Sequence, residues 1–283
     1  MNKTNEKMRA VLVGIAGSNN AFSLSVYNLK AFAYNDSETR KDWDIEVIQS
    51  PLIGLFKRDE LLSDLTEKIA LNEPNLVGFS CYMWNIEVVL KIAKKLRKRL
   101  PDLQILIGGP EIATEYVQQS YFDKHAVDYC ISGEGELTFF ELLQNLKRSK
   151  PALKNIPGLA YRSKKNMPFT VNTKRLPFKS LSYVPSPYLK GIVDEEVLAR
   201  NDVEANLETQ RGCNLRCTYC IYHKDMDRVT YSDVDRVVDE VRYVTKRGVK
   251  KIRFVDANFS SDKDFAKSVM KGLIKERFET SLF

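Results

Sequence analysis

Three of the five cysteines in this 283-residue chain stand within eight positions, in the stretch RGCNLRCTYC. Cys213, Cys217 and Cys220 follow the spacing C-x3-C-x2-C. A structural zinc site uses four ligands, usually in two separated pairs, and a thioredoxin-like dithiol would leave Cys213 without a role. An iron–sulfur cluster gives all three thiolates a role. Because a [4Fe–4S] cube has four irons, three thiolates leave one iron open to a substrate or cofactor. The spacing therefore predicts such a cluster.

Composition and charge limit the class of protein. Apolar residues make up 43% of the chain, and 44 basic against 37 acidic residues give a net charge of +7. The two signs are interspersed, so the charge permits nucleic-acid binding without requiring it. No apolar run approaches the ~20 residues that cross a membrane. The odd number of cysteines and the lack of a signal-peptide core argue against a disulfide framework and for a cytoplasmic protein.

Apolar segments alternate with amphipathic segments over residues 1–148, which predicts a doubly wound α/β domain. Strands are expected at 10–15, 44–50, 75–82, 103–109 and 127–133, and helices at 21–34, 59–71, 86–100 and 137–146. The strands are almost continuously apolar, so the sheet should be parallel and covered on both faces. Cys81 and Cys130 fall on these strands and are expected to be buried as small hydrophobic side chains.

The alternation stops over residues 149–198, which hold six prolines. Two β-prone pieces predict a hairpin there, followed by an extended linker. A second α/β unit is expected over residues 199–283. Its first strand, ANLETQRG, would deliver the cysteine loop, and a later strand lies within KKIRFVDANF. Between them, Ser232 and Asp235 predict a capping box at the start of a helix that ends at Gly248.

The cysteine spacing and its strand–loop–helix setting resemble the radical S-adenosylmethionine (SAM) enzymes. In that family the amino and carboxylate groups of SAM chelate the open iron, and the cluster cleaves SAM to methionine and a 5′-deoxyadenosyl radical. The resemblance implies that Tyr219 lies near the adenine, and that Asp256 or Asn258 holds the amino group or ribose. The alternative for Asp256 is a cap on the next turn. Gly212 would allow the loop to turn closely.

Other polar residues near the motif are further candidates. Glu208 and Gln210 lie on the first strand, where one of them can point into the barrel. Glu240 is expected on a helix surface. His223, three residues after Cys220, is expected in a solvated loop rather than as a fourth ligand.

With this motif in place, the first domain resembles the cobalamin (B12)-binding domain that precedes the radical SAM barrel in one subfamily. The resemblance rests on the strand ends VGFSCY, IGGPEIA and ISGEGE, the edge of a parallel sheet where ligands bind. Candidate contacts are Ser80, Gly108, Gly109, Ser132, Gly133 and Gly135, and the alternative for the glycines is ordinary turns. The signature D-x-H-x-x-G, whose histidine ligates cobalt, is absent. The loop after the first strand reads GIAGSNNAFS, and the only histidine of the domain is His125.

The resemblance implies a cobalamin-dependent radical SAM enzyme that uses a [4Fe–4S] cluster, SAM and cobalamin. Methyl transfer is the commonest reaction implied, although rearrangements and ring closures occur on the same scaffold. An electron donor such as flavodoxin or ferredoxin is expected. A radical SAM barrel usually has more βα units than the residues after Cys220 provide, so a truncated chain or a partner chain that completes the barrel is expected.

Two alternatives remain open. One is a radical SAM protein with a vacant Rossmann-like domain, of the tRNA-modifying or methylthiotransferase type. The other is a non-catalytic cobalamin-binding module whose barrel remnant docks a partner.

Overall fold

A computed structural model describes residues 6–52, 58–165, 167–220, 222, 228–278 and 280–282. Its main sheet has the strand order β2-β1-β3-β4-β5-β6-β7. The first five strands are parallel: β1 (Met8–Ala16), β2 (Trp43–Pro51), β3 (Leu76–Ser80), β4 (Gln104–Gly108) and β5 (Tyr129–Ile131). The predicted hairpin, β6 (Leu159–Tyr161) and β7 (Thr170–Val171), pairs antiparallel with this sheet. The doubly wound α/β prediction is therefore confirmed, and the sheet continues past residue 148.

Helices cover both faces of this sheet. They are α1 (Leu24–Ala33), α2 (Ser37–Asp42), α3 (Arg58–Leu71), α4 (Ile86–Arg99), α5 (Thr114–Gln118) and α6 (Glu136–Leu146). Successive residues of a strand point to opposite faces. Val13 accordingly packs into the core that also holds residues of α3 and α4, and Leu12 into the core that holds residues of α1 and α6. The central strands β1 and β3 are buried on both faces, which explains why they are almost continuously apolar, whereas the edge strand β2 carries Asp44 and Glu46 at exposed positions. Cys81 and Cys130 are fully buried, as predicted.

The second unit begins after the short helix α7 (Glu195–Leu198). Three parallel strands lie in the order β12 (Ser281–Leu282), β11 (Lys251–Phe254) and β8 (Glu204–Leu207). The helices α8 (Val234–Thr245) and α9 (Lys263–Glu276) pack against them. The predicted strand ANLETQRG is interrupted, because β9 (Gln210–Arg211) leaves β8 and pairs antiparallel with β10 (Thr230–Tyr231). This interruption turns the chain toward the cysteine loop.

The start of α8 corrects one sequence prediction. The N-cap is Asp233 rather than Ser232, and its side chain makes no capping hydrogen bond. Within the described residues the buried Ser232 hydroxyl has no partner. Gly248 follows the helix with φ +85°, as expected for a residue that ends one. Glu240, expected on the helix surface, is buried and pairs with Arg236 at 3.0 Å.

The loop between β1 and α1 joins the two units. The Asn20 carbonyl accepts a hydrogen bond from the Glu204 amide at 2.8 Å, and the Phe22 carbonyl accepts one from the Asn206 side chain at 2.8 Å. Phe22 and Tyr27 pack in the same apolar core as residues of β8, α8 and α9. The loop that would carry the absent cobalt-binding histidine therefore lies along the edge of β8. Among the described residues, none of the helices combines the length and apolar character needed to span a bilayer.

Candidate active site

A cavity of about 800 Å³ lies between the carboxyl ends of the main sheet and the second unit. This volume falls within the roughly 300–1,000 Å³ typical of small-molecule sites. The second unit contributes the side chains Glu204, Asn206, Glu208, Arg253 and Val255 to its wall. Both units thus form the wall of one space. The predicted cluster and SAM residues of the second unit are not part of this lining: Gly212, Cys213, Cys217, Tyr219, Cys220, Asp256 and Asn258.

The predicted contacts of the first unit mostly line this cavity. Those that do are Ser80, Gly108, Gly109, Gly133 and Gly135. Ser132 is not part of the lining, and its backbone N–H donates to Gly158 O at 3.0 Å. Gly109 has φ +113°, and a Cβ there would lie 2.6 Å from Cys81 O. A Cβ on Gly108 would meet Ile131 O at 3.5 Å, which is ordinary contact. The turn therefore requires glycine at position 109. The protein atoms around position 108 leave room for a Cβ and do not require glycine there.

A chain of hydroxyl groups forms one side of the cavity. Ser80 Oγ lies 2.7 Å from Ser25 Oγ, which lies 3.0 Å from Ser23 Oγ. Gln49 holds Ser23 in place through two hydrogen bonds to its backbone, at 2.9 and 3.0 Å. These hydroxyls can donate to or accept from a polar ligand. Ser25 was not predicted, because nothing in its local sequence shows that α1 begins beside the end of β3.

An aromatic pair after β3 forms another part of the lining. Tyr82 and Trp84 stack with their ring centroids 4.5 Å apart, and the Trp84 indole N–H donates to Ile15 O at 3.3 Å. The buried amide of Asn85 donates to Ile15 O and to Ser80 O, both at 3.0 Å. Trp84 therefore presents a fixed, flat and apolar surface to the cavity, which the sequence analysis did not predict.

The cysteine loop begins directly after β9. Gly212 has φ +97°, and a Cβ there would lie 2.2 Å from Arg228 O, so only glycine permits this approach. Cys213, Cys217 and Cys220 are all partly exposed. Among the described residues, no three His, Cys, Asp or Glu side chains surround a single point suitable for one ion. The assignment of these thiols to an iron–sulfur cluster stays a prediction, carried by their spacing.

Two predicted SAM contacts lie in or beside the loop but do not line the cavity. Tyr219 is 90% exposed, and its contact with adenine stays a prediction. Asn258 donates through Nδ2 to Asn214 Oδ1 at 3.3 Å, and its carbonyl accepts from the Gln210 side chain. His223 falls outside the described residues.

Asp256 supports the base of the cysteine loop. Its Oδ1 accepts the N–H groups of Thr209 at 2.8 Å and Gln210 at 3.0 Å, and its Oδ2 accepts the Thr209 hydroxyl at 2.6 Å. Burial raises the pKa of this carboxyl, while the hydrogen bonds from Thr209 and Gln210 oppose the rise. The carboxylate thus caps the break between β8 and β9, and its predicted contact with SAM stays a prediction.

We expect Asp256→Ala to destabilise the protein by about 1–3 kcal/mol, because it removes the acceptor of backbone N–H groups in a buried turn. Asn258→Ala removes two long, exposed side-chain hydrogen bonds, to Asn214 and from Ser260, and should cost less. Urea denaturation of the two variants and the wild type gives the comparison. Equal stability of the Asp256 variant and the wild type would contradict this role.

Arg211 joins the two units beside the cavity. Its Nε and Nη2 donate to the Glu208 carboxylate at 2.9 and 2.7 Å. Nη2 and Nη1 donate to the Glu136 carboxylate at 2.8 and 3.1 Å, and Nη1 also donates to Glu134 at 3.2 Å. The guanidinium side chain is only 8% exposed. Burial raises the pKa of Glu134, although Arg211 opposes the rise. This cluster was not predicted from the sequence, although Arg211 occurs in RGC, Glu134 and Glu136 occur in GEGE, and Glu208 was itself a candidate.

Thiol labelling tests the different surroundings of the five cysteines. Burial raises the pKa of the Cys81 and Cys130 thiols well above the usual range, and reaction with a maleimide requires an accessible thiolate. We expect the cluster-free native protein to react at the three loop cysteines and the denatured protein at all five. Mass spectrometry of labelled peptides locates the sites. Fast native labelling of Cys81 or Cys130 would refute the packing described here.

Two family models match the chain. The model of the B12 binding domain matches residues 40–143, and the Radical SAM superfamily model matches residues 207–282. The first match covers much of the main sheet, and the second covers the cysteine loop and the strands around it.

Two curated relatives are methyltransferases, and the name of one includes both cobalamin and radical SAM. The chain is 29% identical over 237 residues to the cobalamin-dependent radical SAM methyltransferase TokK of Streptomyces tokunonensis, a match that covers 82% of this chain and 33% of TokK. It is 28% identical to the 2-(S-pantetheinyl)-carbapenam-3-carboxylate methyltransferase of Streptantibioticus cattleyicolor, with the same coverage of each chain. The chain thus spans about one third of the length of these two relatives.

Solved structures share the fold. The radical S-adenosylmethionine methyltransferase TsrM of Kitasatospora setae, with cobalamin and a [4Fe–4S] cluster bound, matches with a TM-score of 0.72 at 20% identity, over 96% of this chain and 53% of TsrM. The cobalamin-dependent radical enzyme OxsB, with aqua-cobalamin and S-adenosylmethionine bound, matches with a TM-score of 0.69 at 17% identity, over 98% of this chain and 38% of OxsB.

Proposed function

We propose that this chain, which belongs to the radical SAM proteins that carry an N-terminal B12 binding domain, is the cobalamin- and cluster-binding part of a methyltransferase. The observation that carries the proposal is the shared cavity. Strand ends of the first unit and strands of the second unit line one space of about 800 Å³, and Cys213 is the second residue after the cavity-lining Arg211. A domain that only carried cobalamin would not need the part of the cavity wall that the second unit supplies.

The residues that line the cavity fit a corrin. Gly108 leaves its backbone open to a ligand, the Ser25 and Ser80 hydroxyls offer hydrogen bonds to amide side chains, and Trp84 provides a flat apolar contact. When bound, cobalamin would supply a methyl group and the cluster with SAM would supply a radical. The residues of this chain would hold the corrin between the two units and keep the cysteine loop at a fixed distance from it.

The alternatives have less support. A methylthiotransferase type carries a further cluster with its own cysteines in the first domain, but here that domain has only Cys81 and Cys130, and both are buried. The vacant-domain alternative does not explain a cavity of this size at the strand ends. The non-catalytic module does not explain why the complete cysteine trio lies beside the cavity wall.

Further parts of the proposal follow from the family. We place the protein in the cytoplasm and expect a flavodoxin- or ferredoxin-like electron donor, because the cluster must be reduced. The substrate of the methyl transfer is not specified by the described residues. A partner chain that completes the barrel stays a prediction.

Anaerobic reconstitution with iron, sulfide and hydroxocobalamin tests this function. We expect about four irons per chain, as in a [4Fe–4S] cluster, one cobalt, and 5′-deoxyadenosine after reduction in the presence of SAM. Iron and SAM cleavage without cobalt would favour the vacant-domain alternative. Cobalt without iron or SAM cleavage would favour the non-catalytic module.

A further inference from the structure

The Arg211 cluster connects three segments that are distant in sequence. Arg211 lies in β9 and Glu136 lies in the first turn of α6, 75 residues away. Glu134 also accepts the Phe178 amide, so the linker joins the same cluster. All five N–H donors of the guanidinium are used, and the contacts to Glu136 and Glu208 are both bidentate. Such paired contacts fix the orientation of a guanidinium as well as its position.

Stability alone does not account for this cluster. Three carboxylates surround one guanidinium, and the side chains of Arg211, Glu134 and Glu136 are at most 8% exposed. Buried ion pairs are often no more stabilising than well-packed apolar side chains of similar volume. A cluster with unbalanced charge therefore contributes more to a specific arrangement than to the free energy of folding.

That arrangement includes the cysteine loop. Arg211 is the second residue before Cys213, and between them Gly212 packs against the backbone of Arg228. The β9–β10 pairing at Thr230 fixes the backbone of Arg211 itself. The chain thus has little freedom between the guanidinium and the first cysteine. Because Glu134, Glu136, Glu208 and Arg211 all line the cavity, a shift of the wall would move the loop.

We infer that Arg211 is a positioning residue that couples the cavity to the cysteine loop, so that corrin binding and cluster assembly strengthen each other. The inference rests on the proposed function. It predicts that hydroxocobalamin binds more tightly to protein with the cluster than to the same protein without it. Coupling between two sites is reciprocal, so bound hydroxocobalamin should also slow the loss of iron to a chelator.

The test measures this coupling in the wild type and in Arg211→Lys. Lysine keeps the charge but lacks the planar fork that serves several carboxylates at once. Absorbance titrations with hydroxocobalamin, on clustered and iron-stripped protein, give the ratio of affinities. In the wild type we expect the clustered protein to bind hydroxocobalamin roughly tenfold more tightly than the iron-stripped protein, within the common coupling range of about 5–150-fold. In Arg211→Lys the two affinities should be nearly equal. The rate of iron release to a chelator, with and without hydroxocobalamin, gives an independent readout.

Arg175→Lys is the matched control. Arg175 is similarly buried, at 10% exposure, and pairs with Glu141 of α6, but it does not line the cavity. This variant should keep the wild-type coupling, which would separate positioning from a general loss of buried charge pairs. If Arg211→Lys does not fold, Glu136→Gln removes one bidentate contact and should reduce the coupling in the same direction.

The outcomes distinguish this inference from the proposed function. If the wild type binds no hydroxocobalamin, both fail. If it binds hydroxocobalamin equally well with and without the cluster, the proposed function stands and the inference is overturned. Wild-type coupling in Arg211→Lys, or in Glu136→Gln where the first variant does not fold, would also overturn it.

Discussion

Replacement of Cys213, Cys217 or Cys220 by alanine should reduce bound iron from about four per chain toward zero and reduce SAM cleavage to background. Each thiolate would hold a different iron, and the loop offers no substitute among its described residues, because Cys81 and Cys130 are buried in the main sheet. Iron analysis and 5′-deoxyadenosine formation after anaerobic reconstitution measure the two effects.

Cys81→Ala is the control for this series. It makes the same chemical change at a buried position away from the loop, so the variant should keep the full iron content and the SAM cleavage of the wild type. Hydroxocobalamin binding to the loop variants should persist, weakened only by the loss of coupling. Full iron content in any loop variant would show that the replaced cysteine is not a cluster ligand.

The sequence predicted the elements of the main sheet well for a physical reason. Strands such as β1 are buried on both faces, where Leu12 and Val13 are each fully inaccessible, so continuous apolar runs identify them. The short helices α2 and α5 were missed, since neither is long enough to show an apolar stripe. The break between β8 and β9 could not be predicted either. The backbone N–H groups of Thr209 and Gln210 donate to Asp256, which is 47 residues away from Thr209 in the sequence.

The candidate site shows the same division between local and distant information. The cysteine trio is a local motif, and its spacing alone indicated its chemistry. The Arg211 cluster joins residues 75 and 77 positions apart, and each member taken alone resembles an ordinary charged residue. The position of the β1–α1 loop along β8 is likewise a long-range contact. This loop, which lacks the histidine of the D-x-H-x-x-G signature, makes backbone hydrogen bonds to the second unit instead.

Gly108 and Gly109 should respond to substitution in opposite ways. A Cβ on Gly108 meets only ordinary contacts with Ile131, and Gly108 lies on the cavity lining. We therefore expect Gly108→Val to fold and to bind hydroxocobalamin at least about tenfold more weakly, a loss of roughly 1.4 kcal/mol. Gly109→Ala combines a left-handed backbone with a Cβ placed 2.6 Å from Cys81 O. It should destabilise the fold by about 1–3 kcal/mol, as strained backbone positions do.

Gly248→Ala separates the two causes of that loss. Gly248 also has a positive φ, at +85°, but a Cβ there would meet nothing within 4 Å. Its variant should therefore lose only about 1–2 kcal/mol, the conformational penalty for a left-handed residue. If the contact with Cys81 matters, Gly109→Ala should have a lower unfolding temperature than Gly248→Ala.

Wild-type affinity for hydroxocobalamin in Gly108→Val would mean that this strand end does not contact the corrin. The glycines of IGGPEIA would then be turn residues alone, and the cofactor would have to be held by the serine and tryptophan side of the cavity.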